Sequence, residues 1–275
     1  MEKNNKGALN FLYNTALGRL LLKPLCSRAL SKICGAFLSC RLSKPLIKGF
    51  VKSNGIELKN YESDNFKSFN DCFCRKIKPE LRPIDTQKTH FISPCDGLLS
   101  VYNVTDETVL PIKQSSYTVR ELLDGDPVYE KYRDGVCLVF RLCVAHYHRY
   151  CYLDNLKKGE NIFIKGRLHT VRPIALQRYP VFVQNCREYT VMETESFGTV
   201  TQIEVGAMLV GKIKNNHGSG EFARGEEKGM FLYGGSTIVV LVEKGRLNIN
   251  KTFFEETQNG NETPVKKGEC LFTAI

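Results

Sequence analysis

A chain of 275 residues with 42% apolar and 25% charged residues can bury one large core, which excludes a disordered or low-complexity protein. No apolar run reaches the roughly 18 residues that a bilayer-crossing helix needs. The polar start Met1–Gly7 also lacks the pattern of a secretory signal peptide. The net charge of +10 is unevenly placed: residues 1–60 hold eleven Lys and Arg against Glu2 and Glu57, so residues 61–275 carry only +1.

A basic segment ahead of a nearly neutral body suits an anionic partner. With no aromatic-plus-basic surface for reading bases, the segment points to a membrane rather than to nucleic acid. Leu9, Leu12, Tyr13, Ala16, Leu17, Leu20 and Leu21 keep helical spacing on one face. Pro24 interrupts or restarts that helix. A second stripe follows in Leu25, Ala29, Leu30, Ile33, Phe37 and Leu38, with Arg28 and Lys32 on its polar side. A third short helix is expected around Ile47–Val51, ending near Asn54-Gly55. Leu-rich faces beside Lys and Arg fit helices lying in a membrane interface, packed on the body by their other faces.

From Tyr61 the texture changes. Phe66, Phe69 and Phe73 predict a short helix, and Phe91–Tyr102 a strand, a turn at Asp96-Gly97 and a second strand. Thr118-Val-Arg-Glu121 has capping-box spacing. Val136–Val144 alternates as a strand buried on both faces and runs into Ala145-His-Tyr-His-Arg-Tyr-Cys151. Further strands are expected at 161–165, 169–174, 187–193, 199–213 and 231–243. The fold class is therefore α+β, with amphipathic N-terminal helices over residues 1–60 and a β-rich, mainly antiparallel catalytic body over 61–275.

The eleven cysteines include only one close pair, Cys72-x-Cys74, so they are expected to be reduced thiols in a cytosolic protein rather than disulfides or a metal site. Four residues are candidates for chemistry. Asp96 lies in a Pro-Cys-Asp-Gly turn, His148 beside Tyr147 and Arg149, and His169 after Gly166-Arg-Leu. Ser236 follows the Gly234-Gly235 pair at the mouth of the apolar run Ile238–Val242. Carboxylate, imidazole and hydroxyl are the parts of a relay in which the first orients the second and the second deprotonates the third. The hydrolase elbow Gly-x-Ser-x-Gly is absent.

Gly234-Gly-Ser-Thr237 resembles the self-cleavage motif of the phosphatidylserine decarboxylase family, commonly Leu-Gly-Ser-Thr. Phe69-Asn-Asp-Cys-Phe-Cys-Arg75 with Arg82-Pro-Ile-Asp85, Ser93-Pro-Cys-Asp-Gly97, Tyr147-His-Arg149 and Val205-Gly-Ala207 are similar to further family segments in the same order. The resemblance implies a self-processing decarboxylase of phosphatidylserine. Ser236 would attack the carbonyl of Gly235, dividing the protein into chains 1–235 and 236–275 and leaving a pyruvoyl cofactor derived from Ser236. It also implies that the two chains stay together, and a homodimer. An anionic phospholipid substrate and peripheral attachment to the cytoplasmic face of the cell membrane are implied as well, with residues 1–52 making the contact. A different serine phospholipid as substrate, or an inactive lipid-binding relative, is the alternative.

One position departs from the family. Where relatives carry the second histidine of His-Arg-x-His, this chain has Cys151; where they often have Phe before a Ser/Thr-Val-Asn stretch, it has His169 before Thr170-Val-Arg172. His169 is therefore expected to supply the relay base, with Asp96 orienting an imidazole and His148 acting in decarboxylation. The competing assignment makes His148 the relay base. Arg149, Arg167 and Arg172 are candidates to hold the phosphate and carboxylate.

Overall fold

The computed structural model describes residues 5–105, 110–112, 115–171, 173–176, 179–207, 212–233 and 236–275. Four amphipathic helices come first: α1 (Asn5–Asn14), α2 (Ala16–Leu25), α3 (Arg28–Ser39) and α4 (Pro45–Ser53). The first apolar stripe is two helices rather than one. Thr15 is extended and caps α2 through its side chain, which accepts the Gly18 N–H. The chain doubles back there so tightly that a Cβ on Gly18 would meet the Phe11 carbonyl oxygen, so only glycine fits. Pro24 sits in the last turn of α2, and α3 restarts after the Ser27 cap. The third helix ends at Asn54 with Gly55 at φ +62°, as expected.

The helices divide their faces as the stripes require. Tyr13, Leu22, Cys26, Leu38 and Phe50 are buried in the body, while Leu17, Leu20, Ile33 and Leu42 are exposed at 60, 60, 68 and 79%. Helix α5 (Phe69–Phe73) packs beneath α3 and α4, its Phe69 and Phe73 sharing a small core with Phe50 and Leu38.

Strands β1 (His90–Ile92) and β2 (Gly97–Asn103) flank the Asp96 turn. Then come β3 (Leu110–Ile112), β4 (Ser115–Tyr117), the capped turn α6 (Val119–Leu122), β5 (Val136–Leu142), β6 (Arg149–Cys151), β7 (Leu156–Lys158) and β8 (Ile162–Ile164). Two short helices, α7 (Pro173–Leu176) and α8 (Val181–Gln184), precede β9 (Arg187–Thr194) and β10 (Gly198–Val205). The chain closes with β11 (Ile213–Asn215), β12 (Gly220–Phe222), β13 (Glu227–Phe231), β14 (Ser236–Val242), β15 (Leu247–Asn248), α9 (Lys251–Gln258), β16 (Thr263–Val265) and β17 (Cys270–Ala274). Three expected strands differ. Residues 169–171 form no strand, because Pro173 starts α7 directly after this stretch. The strand from 199 ends at Val205. The stretch from 231 holds the end of one strand and the whole of another, β13 ending at Phe231 and β14 starting at Ser236.

The main sheet runs β12–β7–β9–β10–β14–β5–β2–β16, with β8 also on β9, and every described pairing is antiparallel. Strand β14 lies in its middle, paired to β10 on one side and β5 on the other, and all seven of its residues are buried. Alternation then assigns its side chains. Ile238, Val240 and Val242 join Leu138, Phe140 and Leu142 in one core, while Val239 and Leu241 join Cys137, Val139, Ile203 and Val205 in the other, beneath α1 and α2. The five apolar side chains contribute roughly 1.5–3 kcal/mol each.

A smaller sheet, β11–β13–β6, covers the first of these cores. A fully buried ion pair fixes the two sheets together: Lys228 Nζ on β13 lies 2.7 Å from Glu204 Oε1 on β10. Gln202 donates to the same carboxylate at 2.8 Å and Lys228 to Asn215 at 3.0 Å. Removing one partner leaves a buried charge uncompensated. Lys228→Ala is expected to lose about 3–5 kcal/mol in urea denaturation. A Lys228→Met, Glu204→Leu double replacement is expected to recover most of that loss.

Candidate active site

Ser236 is the first residue of β14 and sits opposite Leu142, completely buried. It shares alternation with Ile238 and Val240, so its side chain belongs to the core shared with the small sheet; Thr237, paired with Val205, belongs to the opposite face. Neither hydroxyl has a hydrogen-bond partner among the described residues. Gly234 and Gly235 lie outside the described residues. A buried hydroxyl without a partner is costly unless some chemistry requires it, which marks Ser236 for more than packing.

His148 is carried to the same side. Its carbonyl accepts the Phe231 N–H at 3.0 Å, five residues ahead of Ser236, and its ring lies 4.2 Å from the ring of Phe73, which in turn contacts Tyr233. Nδ1 of His148 is 2.9 Å from the His146 carbonyl, which can only accept. That places the proton of the neutral ring on Nδ1 and leaves Nε2 with the lone pair a general base needs.

Asp96 is at the bottom of the turn between β1 and β2. Its carboxylate is held bidentately by the Arg82 guanidinium, with Nε at 2.8 Å from Oδ1, and accepts the Lys267 N–H at 2.9 Å. Among the described residues no imidazole is hydrogen-bonded to it. Its negative charge acts on His146, Tyr147 and Cys151, so the carboxylate faces the Ala145–Cys151 cluster. Burial pulls His146 below the ordinary histidine range, and Asp96 opposes that pull. Cys151 itself is fully buried, and its N–H donates to the Pro94 carbonyl at 2.9 Å. Burial pushes its thiol up to about 11, so it is neutral and unreactive at physiological pH.

His169 stands apart. It lies beneath the N-terminal helices, its ring stacked on Tyr179 at 4.5 Å, with Nδ1 facing the Tyr13 hydroxyl at 3.4 Å and the Cys26 sulfur at 3.5 Å. Asn185 ties it to the sheet, its amide bridging the His169 and Gly206 carbonyls at 2.8 and 2.7 Å. Gly206 follows Val205, the partner of Thr237. The tertiary structure thus places Ser236, His148 and the Asp96 turn toward one face, and His169 with Thr237 on the other. Burial first, and then the Arg167 charge, lower the His169 pKa to about 4.

Of the three arginines expected to hold an anion, Arg167 is exposed on the His169 side, where its charge acts on His169 and Cys26. Arg149 donates to the Cys74 carbonyl and pairs with Glu227, both at 2.8 Å. Arg172 lies outside the described residues. The eleven cysteines are all unpaired thiols. Asp85, His90 and Cys270 bring an oxygen, a nitrogen and a sulfur within 4.8 Å of one another, a donor set of metal-binding type at the end of the molecule formed by β1 and β17.

The chain matches the phosphatidylserine decarboxylase family over residues 69–273. It is 46% identical to phosphatidylserine decarboxylase proenzyme 2 of Clostridium acetobutylicum over 272 residues, 98% of this chain and 93% of that protein. It is 40% identical to the phosphatidylserine decarboxylase proenzyme of Ruminiclostridium cellulolyticum, over 97% of this chain and 91% of that one. It is also 36% identical to the proenzyme of Clostridium botulinum (strain Alaska E43 / Type E3), over 100% and 96%.

The buried, neutral His169 has a consequence for stability. Its folded pKa lies below the unfolded value near 6.5, so the unfolded chain binds the extra proton; the stabilisation is complete above pH 6.5 and lost as pH falls toward 4. Unfolding free energy is expected to drop by roughly 3 kcal/mol across that window. His169→Gln is expected to flatten the slope, as read from urea midpoints at successive pH values.

Proposed function

The chain belongs to the phosphatidylserine decarboxylase family, and from that premise we propose that it is a self-processing enzyme converting phosphatidylserine to phosphatidylethanolamine, with Ser236 as the residue that is consumed to make its cofactor. The observation that carries this is the position of Ser236: a buried hydroxyl, unpartnered among the described residues, at the first position of the central strand and directly after a glycine pair.

Processing follows from that position. The Ser236 hydroxyl attacks the Gly235 carbonyl carbon as a base takes its proton, and the peptide bond becomes an ester through the Ser236 oxygen. Loss of the Ser236 α-proton expels the Gly235 carboxylate, ending chain 1–235. Water then replaces the freed nitrogen, releasing ammonia and leaving a ketone at the start of chain 236–275. Glycine at 235 keeps the approach to its carbonyl clear of a side chain. The residues fit a pyruvoyl group at this point, because the new terminus is paired with Leu142 of β5, the next residue is paired on both edges, and the surroundings are apolar. When present, that group supplies an electron sink for the pair left behind by departing carbon dioxide.

Two imidazoles compete to be the base. Strand alternation and the proton position favour His148, whose Nε2 carries a lone pair and whose chain lies beside the segment leading to Ser236. For His169 to act, its ring would have to reach Ser236 from the Thr237 face; the role this leaves it is to anchor α1 and α2 through Tyr13 and Cys26. Asp96 then serves by fixing Arg82 and the Ala145–Cys151 cluster, and His148 remains available after processing to handle a proton in decarboxylation.

Intact-mass analysis tests these assignments. The wild-type protein is expected as two fragments divided between residues 235 and 236, and Ser236→Ala as one chain. His148→Ala is expected to slow division by a factor of at least 100, whereas His169→Ala divides. A His169→Ala protein that stays whole beside a His148→Ala protein that divides would transfer the base role to His169. A wild-type chain that never divides would instead support an inactive lipid-binding relative, with Cys151 marking the lost imidazole.

The helices supply access to the lipid. No described helix is long and apolar enough to cross a membrane. Their exposed Leu17, Leu20, Ile33 and Leu42 lie among the basic residues of the segment, a surface suited to peripheral attachment at the anionic cytoplasmic face. Replacing Leu20 and Leu42 together by Glu is expected to lower vesicle binding about tenfold or more in a flotation assay, without affecting division.

A further inference from the structure

A cavity of about 470 Å³ lies between α3 and the segment that leads into the scission site. One wall is α3, with Ser31, Lys32 and Ser39; the other is Lys212, Leu232 and Tyr233, and Ser236 follows Tyr233 by three residues. Asn70 of α5 joins the two walls, donating to the Ser39 hydroxyl at 2.9 Å and accepting the Tyr233 N–H at 3.1 Å.

Three features of this cavity call for an anion. Lys32 and Lys212 stand on opposite walls, and neither is in an ion pair with a described residue. Ser31 is 3% exposed, and its hydroxyl has no hydrogen-bond partner among the described residues although it lines the cavity. Arg149, one of the arginines expected to hold the anion, is bound instead to Glu227 and a backbone carbonyl. On the outer side of α3, Ile33 and Phe37 are 68 and 48% exposed, so an acyl chain has an apolar exit toward the membrane.

Building on the decarboxylase assignment, we propose that this cavity receives the phosphodiester of the serine phospholipid, with Lys32 and Lys212 as its counter-ions from opposite walls and the Ser31 hydroxyl as a neutral donor. The headgroup serine then extends past Tyr233 toward residue 236, and the glycerol backbone leaves along α3. Because one cation belongs to the membrane-facing helix and the other to the catalytic body, the headgroup itself closes the gap between them. Two separate ammonium groups also explain selection for a phosphate over a neutral headgroup.

The test uses Lys32→Ala, Lys212→Ala, the double replacement and the two Lys→Arg versions of the full chain. Division is followed by intact mass, and turnover by phosphatidylserine in nonionic detergent micelles. Division is expected to be complete in all of them. Each single Ala replacement is expected to raise KM about tenfold and the pair about a hundredfold, with kcat changed less than about threefold. The Arg versions recover most of the loss. Soluble glycerophosphoserine is expected to inhibit the wild-type enzyme and to lose potency in parallel, whereas inorganic phosphate at the same concentration inhibits far less. A double Ala protein that divides and retains wild-type KM and inhibition overturns the cavity assignment while leaving the decarboxylase standing. Inhibition by inorganic phosphate equal to that by glycerophosphoserine overturns it too, in favour of a general phosphate site. A divided wild-type protein with no turnover of phosphatidylserine overturns the functional assignment itself.

Discussion

The ladder on both edges of β14 is the constraint from which the rest of the molecule follows. A strand paired from Ser236 to Val242 with β5 and from Thr237 to Val242 with β10 cannot shift by one residue without exchanging its two faces. The register therefore fixes which way the Ser236 hydroxyl points, independently of the loop before it. It also means that a chain divided at this point would stay whole. Residues 236–275 supply β14 in the centre of the main sheet, β16 at its edge against β2, and β17 and β15 beside β1. Each is hydrogen-bonded to strands of the larger piece or to one another, so scission removes one covalent link and no pairing.

The two faces of that sheet serve different ends. On one, apolar residues meet the small sheet, which the buried Lys228–Glu204 pair ties to β10, and Ser236 opens β14 on this side. On the other, the sheet receives the N-terminal helices through Tyr13, Leu22 and Cys26, with His169 among them. The basic segment is thus anchored on the body by buried contacts and presents Leu and Ile outward.

Cys151 acquires a physical meaning from its surroundings. Position 151 is hydrogen-bonded through its backbone to the Pro94–Asp96 turn, and Asp96 is already neutralised by Arg82 and the Lys267 amide. A neutral thiol in that spot adds packing without adding a second titrating group beside the carboxylate. Among the neighbouring imidazoles, the orientation of His148 is set by a carbonyl, that of His146.

Periodicity, charge and local turn chemistry determined much of this protein directly. The amphipathic helices with their basic faces, the short Phe69–Phe73 helix, the capping box at Thr118, the Asp96 turn and the buried Val136 strand all rest on contacts within a few residues, which a linear pattern records. The order of the family motifs pointed to Ser236 for the same reason. Where the pattern failed, the cause was non-local or steric: Thr15 caps a new helix at a close helix crossing, and β14 begins at Ser236, where its ladder with β5 starts. Which face of the sheet Ser236 takes was decided by strand register, which a linear chain does not record for either His148 or His169. The placing of Lys32 and Lys212 on one cavity is likewise invisible in sequence, because 179 intervening residues must fold before the two lysines line the same space.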